Sequence, residues 1–151
     1  MAKQLKSLGY NYVDGIEGSE KMLQESRNIY DGLTLNMVGI DPFPDTLLNK
    51  YDLIVSTGCF VSHHFKKEVL DLMISSLKPH GFICFSIRDA YMEADNFMGY
   101  RNKLEELIKE KKMKEVEVLE YTKYKGFGPE LGFGDFLKEM PATIRLYQKI
   151  D

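Results

Sequence analysis

Two short, uninterrupted apolar runs constrain this chain more than any other feature. Leu53, Ile54 and Val55 follow one another within 51–58, and Phe82, Ile83, Cys84 and Phe85 do the same within 81–87. Side chains alternate across a strand, so consecutive apolar residues put apolar groups on both faces, the pattern of a strand covered on each side. Between the runs, Phe65, Val69, Leu72, Met73 and Leu77 recur at helical spacing. They predict a helix over 62–77, with Ser62 as its N-cap and Pro79 and Gly81 as its stop. Strand, helix and strand joined this tightly form a right-handed parallel βαβ unit.

The same grammar continues in both directions. Residues 12–17 read as a strand, Ser19 caps a helix running to about Ile29, and 33–38 read as another strand, closed by Gly39 and the Pro42/Pro44 turn. Phe97, Tyr100, Leu104, Leu107 and Ile108 mark a later helix that ends in the solvated Lys109 to Lys112 stretch. Alternation at Val116, Glu117 and Val118, and again over 143–147, predicts two half-exposed antiparallel strands. The loop between them, 126–141, carries aromatic residues that form a candidate lid; its Gly126-Phe127-Gly128 and Gly132-Phe133-Gly134 lack the Gly-Lys-Ser/Thr ending of a phosphate loop. The expected architecture is one α/β domain over 1–151, a parallel sheet finished by an antiparallel edge.

Composition excludes several function classes. The chain has 151 residues, 44% hydrophobic and 28% charged, which is the balance of a globular protein. A net charge of −3 gives little general attraction to nucleic acid or anionic lipid. No apolar run reaches the length of a membrane span, and no signal-peptide core follows Met1. Cys59 and Cys84 make neither a disulfide framework nor a metal-ligand spacing. The expectation is a cytoplasmic protein with no metal, no membrane and no nucleic-acid partner.

In an open parallel sheet, ligands sit beyond the carboxyl ends of the strands. Glu17 ends one such strand, where it suits the two hydroxyls of a ribose or, equally, the positive end of the following helix. Gly18 lets backbone approach a ligand closely. Ser56, Thr57 and Gly58 end another strand and form a candidate floor. His63 and His64 follow that floor, as a base for a displacement reaction or as ordinary solvated residues. Arg88 and Asp89 end the 81–87 strand, Arg88 as a clamp for a carboxylate or phosphate or as half of a surface pair. Tyr91 and Met92 would line the same mouth. Cys59 has no oriented partner that would make it a nucleophile. No residue is assigned as catalytic.

Taken together, the chain resembles a class I S-adenosylmethionine-dependent methyltransferase. It is most similar to the methyltransferase-like protein 27 (Williams–Beuren syndrome critical region 27) family. The resembling segments are Gly9-Tyr10 with 13–19 and Met22-Leu23, then 51–58, and the Lys78-Pro79-His80-Gly81 turn into Phe82. The resemblance implies a Rossmann-like seven-stranded methyltransferase fold with strand order 3-2-1-4-5-7-6, and S-adenosylmethionine as cofactor. It places Glu17, Gly18 and Ser19 at the ribose, Gly39, Ile40 and Asp41 at the adenine, and Ser56, Thr57 and Gly58 at the floor. It places His63, His64 and Arg88 on the side of an acceptor that it does not identify. On turn chemistry alone, the 39–42 stretch is an ordinary Gly-Ile-Asp-Pro turn. The Asn/Asp-Pro-Pro-aromatic pattern for nucleobase or glutamine amino groups is absent at 56–60.

One departure is large. The family opens with a strand and a Gly-rich turn, whereas Met1 to Leu8 already reads as the tail of the helix that follows them. The expectation is an N-terminally truncated chain lacking its first strand and Gly-rich turn. Its sheet would be mostly parallel with an antiparallel C-terminal pair, and its grip on the cofactor would be impaired. Two other classes stay open: a non-catalytic interaction module built on the same scaffold, and an NAD-dependent oxidoreductase. The latter shares Glu17 as the ribose acid but does not predict the antiparallel pair.

Overall fold

The run Leu53–Ile54–Val55 lies in a ten-residue strand that closes one side of a four-stranded sheet. The structure is a computed structural model, which describes residues 1–93, 96–123 and 140–151. It falls into two units, Met1–Phe43 and Pro44–Asp151. The candidate lid and its two Gly-Phe-Gly stretches lie outside the described residues, apart from Met140 and Pro141.

In the first unit, α1 (Ala2–Ser7) precedes β1 (Asp14–Glu17), α2 (Glu20–Ser26) and β2 (Gly32–Leu35). β1 and β2 pair in parallel, from Asp14 opposite Gly32 to Glu17 opposite Leu35. Ser19 caps α2 as expected, its hydroxyl accepting from the Met22 amide at 3.4 Å. The elements are shorter than the 12–17, Ser19-to-Ile29 and 33–38 expectations, and α2 buries none of its residues. A two-stranded sheet offers little apolar surface on which to extend them. The entry to β1 is instead tied by Asp31, whose carboxylate accepts from the Val13 amide at 2.8 Å and from Lys6 Nζ at 3.0 Å.

The second unit carries β3 (Tyr51–Phe60), α3 (Val69–Ser76), β4 (Leu77–Arg88), α4 (Tyr100–Lys109), β5 (Met113–Lys123) and β6 (Met140–Lys149). The sheet order is β3-β4-β6-β5. β3 and β4 pair in parallel, as the βαβ reading requires, while β6 runs antiparallel to both β4 and β5. The sheet is therefore mixed by pairing rather than mostly parallel, and the antiparallel strand lies inside it, between β4 and β5, as the last strand of the expected order does. The topology explains the difference. β5 runs parallel to β4 but one strand-width away, and β6 returns into that gap.

The helix expected over 62–77 begins seven residues late, at Val69, and Leu77 is already the first residue of β4. Ser62 is not its cap. Residues 61–68 form a turn in which His63 takes the left-handed conformation, φ 66°, which a helix interior does not accept. Phe65 leaves the helical stripe for an aromatic cluster. The Phe60 ring lies 4.5 Å from Phe85, 5.4 Å from Tyr100 and 5.6 Å from Phe65, and Phe85 stacks on Tyr147 at 5.8 Å. Val69, Leu70, Met73 and Ile74 of α3 and Tyr100, Leu104 and Leu107 of α4 are buried. The Tyr100 hydroxyl donates to the Phe65 carbonyl, fastening the 61–68 turn to α4.

The two outer strands of this sheet differ in chemistry. β5 carries Lys114, Glu115, Glu117 and Glu120, with a register irregularity between Glu115 and Glu117, and its residues after Met113 are largely exposed. Charges and bulges of this kind blunt an edge against further pairing. β3 has no charged residue from Leu53 to Phe60 and reads as an interior strand.

Two predictions follow from this packing. Leu107, fully buried, should cost about 2–5 kcal/mol when changed to Ala. Phe97, expected on the same stripe, lies before α4 and is 83% exposed, so Phe97→Ala should stay within about 0.5 kcal/mol in urea unfolding. In the first unit, the Val13 amide and the Lys6 ammonium hold the Asp31 carboxyl below its ordinary value. The stability this contributes is present above the ordinary Asp range and disappears as pH falls through the lowered value. Val13 amide exchange should accelerate over that acid range in the wild type, and should lose this pH dependence in Asp31→Asn.

Candidate functional site

Each unit presents one rim at the carboxyl ends of a parallel strand pair, and the residues singled out from sequence lie on these rims. In the first unit, Glu17 closes β1, and its carbonyl accepts from the Asn36 amide just past β2 at 3.0 Å. The Glu17 carboxylate accepts from the Ser19 amide at 2.9 Å. A carboxylate has about four lone-pair positions, so one such bond leaves it able to accept more. A Cβ on Gly18 would lie in ordinary contact with Met37, at 3.5 Å, so packing alone does not demand glycine there. Gly39, at φ 84°, turns the chain, and the Asp41 carboxylate accepts from the Met37 amide at 2.7 Å. Asp41 thus holds the turn, while the Ile40 side chain is 70% exposed.

Sequence reasoning missed Asn36, because it placed this residue inside a strand. Its side chain is buried and donates to the Pro42 carbonyl at 3.0 Å, while Oδ1 has no partner among the described residues. A buried acceptor left unmatched costs roughly 1–3 kcal/mol. Its position just beyond a strand's carboxyl end was the signal available.

In the second unit, Ser56 pairs in register with Phe85, and Phe60 with Ile87, so β3 and β4 end at one rim. Ser56 is buried, and its hydroxyl has no hydrogen-bond partner among the described residues. Gly58 holds φ 74°, a conformation that favours glycine, and its amide donates to the Ser86 hydroxyl at 3.3 Å. A Cβ there would meet open space. Thr57, His63 and His64 are exposed, the two histidines on the 61–68 turn rather than at a helix start. The Cys59 thiol donates to the Thr57 carbonyl at 3.6 Å. Burial pushes the Cys84 thiol up, as suits a core position.

Arg88 ends β4 and meets Tyr91, which lies in the turn Asp89–Met92. The guanidinium lies over the Tyr91 ring, 4.5 Å from its centroid, and Nη2 donates to the phenol oxygen. Burial alone would raise the Tyr91 phenol, but hydrogen bonding with Ser62 and the Arg88 charge outweigh it and bring it below the ordinary tyrosine value. Ser62, expected as a helix cap, instead serves this phenol. Tyr100, 6.4 Å from Tyr91, is pushed up to about 12, by burial first and then by Tyr91 and Glu68. Among the described residues no group of His, Cys, Asp or Glu is arranged to hold a metal, and no helix is long and apolar enough to cross a membrane.

No family model matches the sequence, and no curated protein matches it. Solved structures do match, at low identity and over nearly the whole chain. An S-adenosylmethionine-dependent methyltransferase from Methanosarcina mazei is 11% identical, with a TM-score of 0.66 over 99% of this chain and 87% of that one. One from Mesorhizobium loti is 12% identical, TM-score 0.61, over 97% and 84%. The N-methyltransferase NodS from Bradyrhizobium japonicum is 14% identical, TM-score 0.57, over 93% and 74%. The chain has a methyltransferase-like α/β fold of class I, with a mixed sheet.

The opposed environments of the tyrosines give a spectroscopic prediction. In an alkaline ultraviolet titration, Tyr91 should ionise ahead of an ordinary phenol and Tyr100 and Tyr147 last, at about 12. Tyr91→Phe should remove the earliest component, and Arg88→Gln should move it to higher pH.

Proposed function

We propose that the chain is an S-adenosylmethionine-dependent methyltransferase domain acting on an acceptor outside the nucleobase-amine class. The observation that carries this reading is the strand order. Within the first unit β1 pairs with β2 in parallel, and within the second the order β3-β4-β6-β5 with β6 antiparallel repeats the 4-5-7-6 stretch of 3-2-1-4-5-7-6. We assign β1 to β6 to the second through seventh strands of that order and place the chain nearest the methyltransferase-like protein 27 family. The first strand and its Gly-rich turn have no counterpart among the described residues. The edge-free chemistry of β3 suits a strand written for an interior position.

The residues fit the cofactor. When bound, S-adenosylmethionine supplies a methyl group on a sulfonium, open to in-line displacement by a nucleophile. On this reading Glu17 accepts from the ribose hydroxyls, with Gly18 and Ser19 beside it. Gly39, Ile40 and Asp41 serve the adenine, Ile40 through its exposed side chain. Ser56, Thr57 and Gly58 serve as the floor, and the unpartnered Ser56 hydroxyl is a polar group that awaits a partner. His63, His64 and Arg88 stand on the acceptor side, where orientation is the main requirement of methyl transfer.

Thermal unfolding with S-adenosylhomocysteine and with NAD tests this. At a hundred times its dissociation constant a ligand adds about 2.7 kcal/mol of stability. A rise with the sulfur compound alone is expected; a rise with NAD alone would favour an oxidoreductase, and no rise with either an interaction module. Ser56→Ala should leave the ligand-free protein unchanged or slightly more stable, since it removes an unmatched buried hydroxyl. The same change should shrink the response to S-adenosylhomocysteine.

A further inference from the structure

At the rim of the second unit, Arg88 is a partly buried cation that no anion answers among the described residues. It ends β4, and the ion pairs of this unit join other residues. Its donors are poorly spent. Nη1 faces the Met140 thioether at 3.1 Å, Nη2 donates to the Tyr91 hydroxyl, and Nε is buried with no partner among the described residues. A thioether is a weak acceptor and a phenol a neutral one. A guanidinium withdrawn from water without an anion is costly, whereas a carboxylate meeting two of its N–H groups forms the strong, planar, charge-assisted pair for which arginine is suited.

We propose that Arg88 binds the carboxylate of a small organic acid through Nε and Nη2, the Tyr91 hydroxyl giving way toward Ser62. The charge count favours a monoanion. Among the described residues, the groups that touch the guanidinium, Tyr91 and Met140, are neutral, so a single positive charge stands uncancelled and a single negative one matches it. Met140 and Tyr91 are side chains that can move aside, and the site stands where open α/β sheets take their ligands, beyond the ends of a parallel strand pair. The inference rests on the methyltransferase reading only for calling this acid the methyl acceptor; the binding itself does not require the cofactor.

Calorimetric titration of the full chain, without cofactor, tests it with benzoate, its neutral isostere benzamide, and inorganic phosphate. Benzoate should bind, with benzamide and phosphate each weaker by about tenfold or more. Arg88→Lys, which keeps the charge but loses the planar fork, should weaken benzoate by about tenfold. Tyr91→Phe, which removes the competing phenol, should bind benzoate at least as tightly as the wild type. No benzoate binding, equal binding of benzamide, a preference for phosphate, or an Arg88→Lys protein that binds benzoate unchanged would each overturn the proposal. The first three comparisons use the unaltered chain and so hold even if a variant fails to fold. None depends on S-adenosylhomocysteine, so the cofactor reading stands or falls on its own test.

Discussion

The parallel pairing of β3 with β4 is the constraint on which the second unit depends. Its register carries Ser56 beside Phe85 and Phe60 beside Ile87, so that two apolar strands finish together. At the inner end of that rim, Phe60 is the hub of the aromatic cluster, touching the ring of Phe85 within the sheet, Tyr100 on α4 and Phe65 on the connecting turn. Burial of these rings fixes where the strands stop. Everything polar at the rim is then placed by what the rings leave over.

What they leave over is unusual in its hydrogen bonding. Most buried polar atoms in folded proteins have partners. Here Arg88 Nε at the carboxyl end of β4, the Ser56 hydroxyl within β3 and, in the first unit, Asn36 Oδ1 just beyond β2 have none among the described residues. Apolar cores do not generate such groups by accident of packing, since each costs stability. Arg88 and Asn36 stand at or just past the carboxyl end of a strand, where open α/β sheets take their ligands. The neighbours of Arg88 also tune one another: the guanidinium helps draw the Tyr91 phenol down.

Much of this was legible in the residues. The consecutive apolar residues of 53–55 and 82–85 do lie in strands, though 53–55 are half-buried rather than fully covered, and the Ser19 hydroxyl capped its helix as its position before Glu20 indicated. The α4 stripe through Tyr100, Leu104 and Leu107 is buried as its spacing required. The misreadings have physical causes. Phe65 fits a helical repeat with Val69, but its ring gains more from the Phe60 cluster, and His63 takes a left-handed turn to allow it. Phe97 fits the α4 stripe by spacing, yet Gly99, at φ 65°, starts the helix after it.

The sequence by itself determined the class of each strand, the βαβ connection and the candidate residues at strand ends, because side-chain periodicity and turn chemistry are local properties. Periodicity alone does not say that β6 enters between β4 and β5, since that placement depends on a gap left by a crossover and not on any residue of β6; the strand order implied by the resemblance does. Only tertiary structure decided that Ser62 serves a tyrosine nearly thirty residues away rather than a helix, and that Arg88 has no counter-ion among the described residues. Whether a charge is paired is a property of everything that packs around it, and no stretch of sequence contains that information.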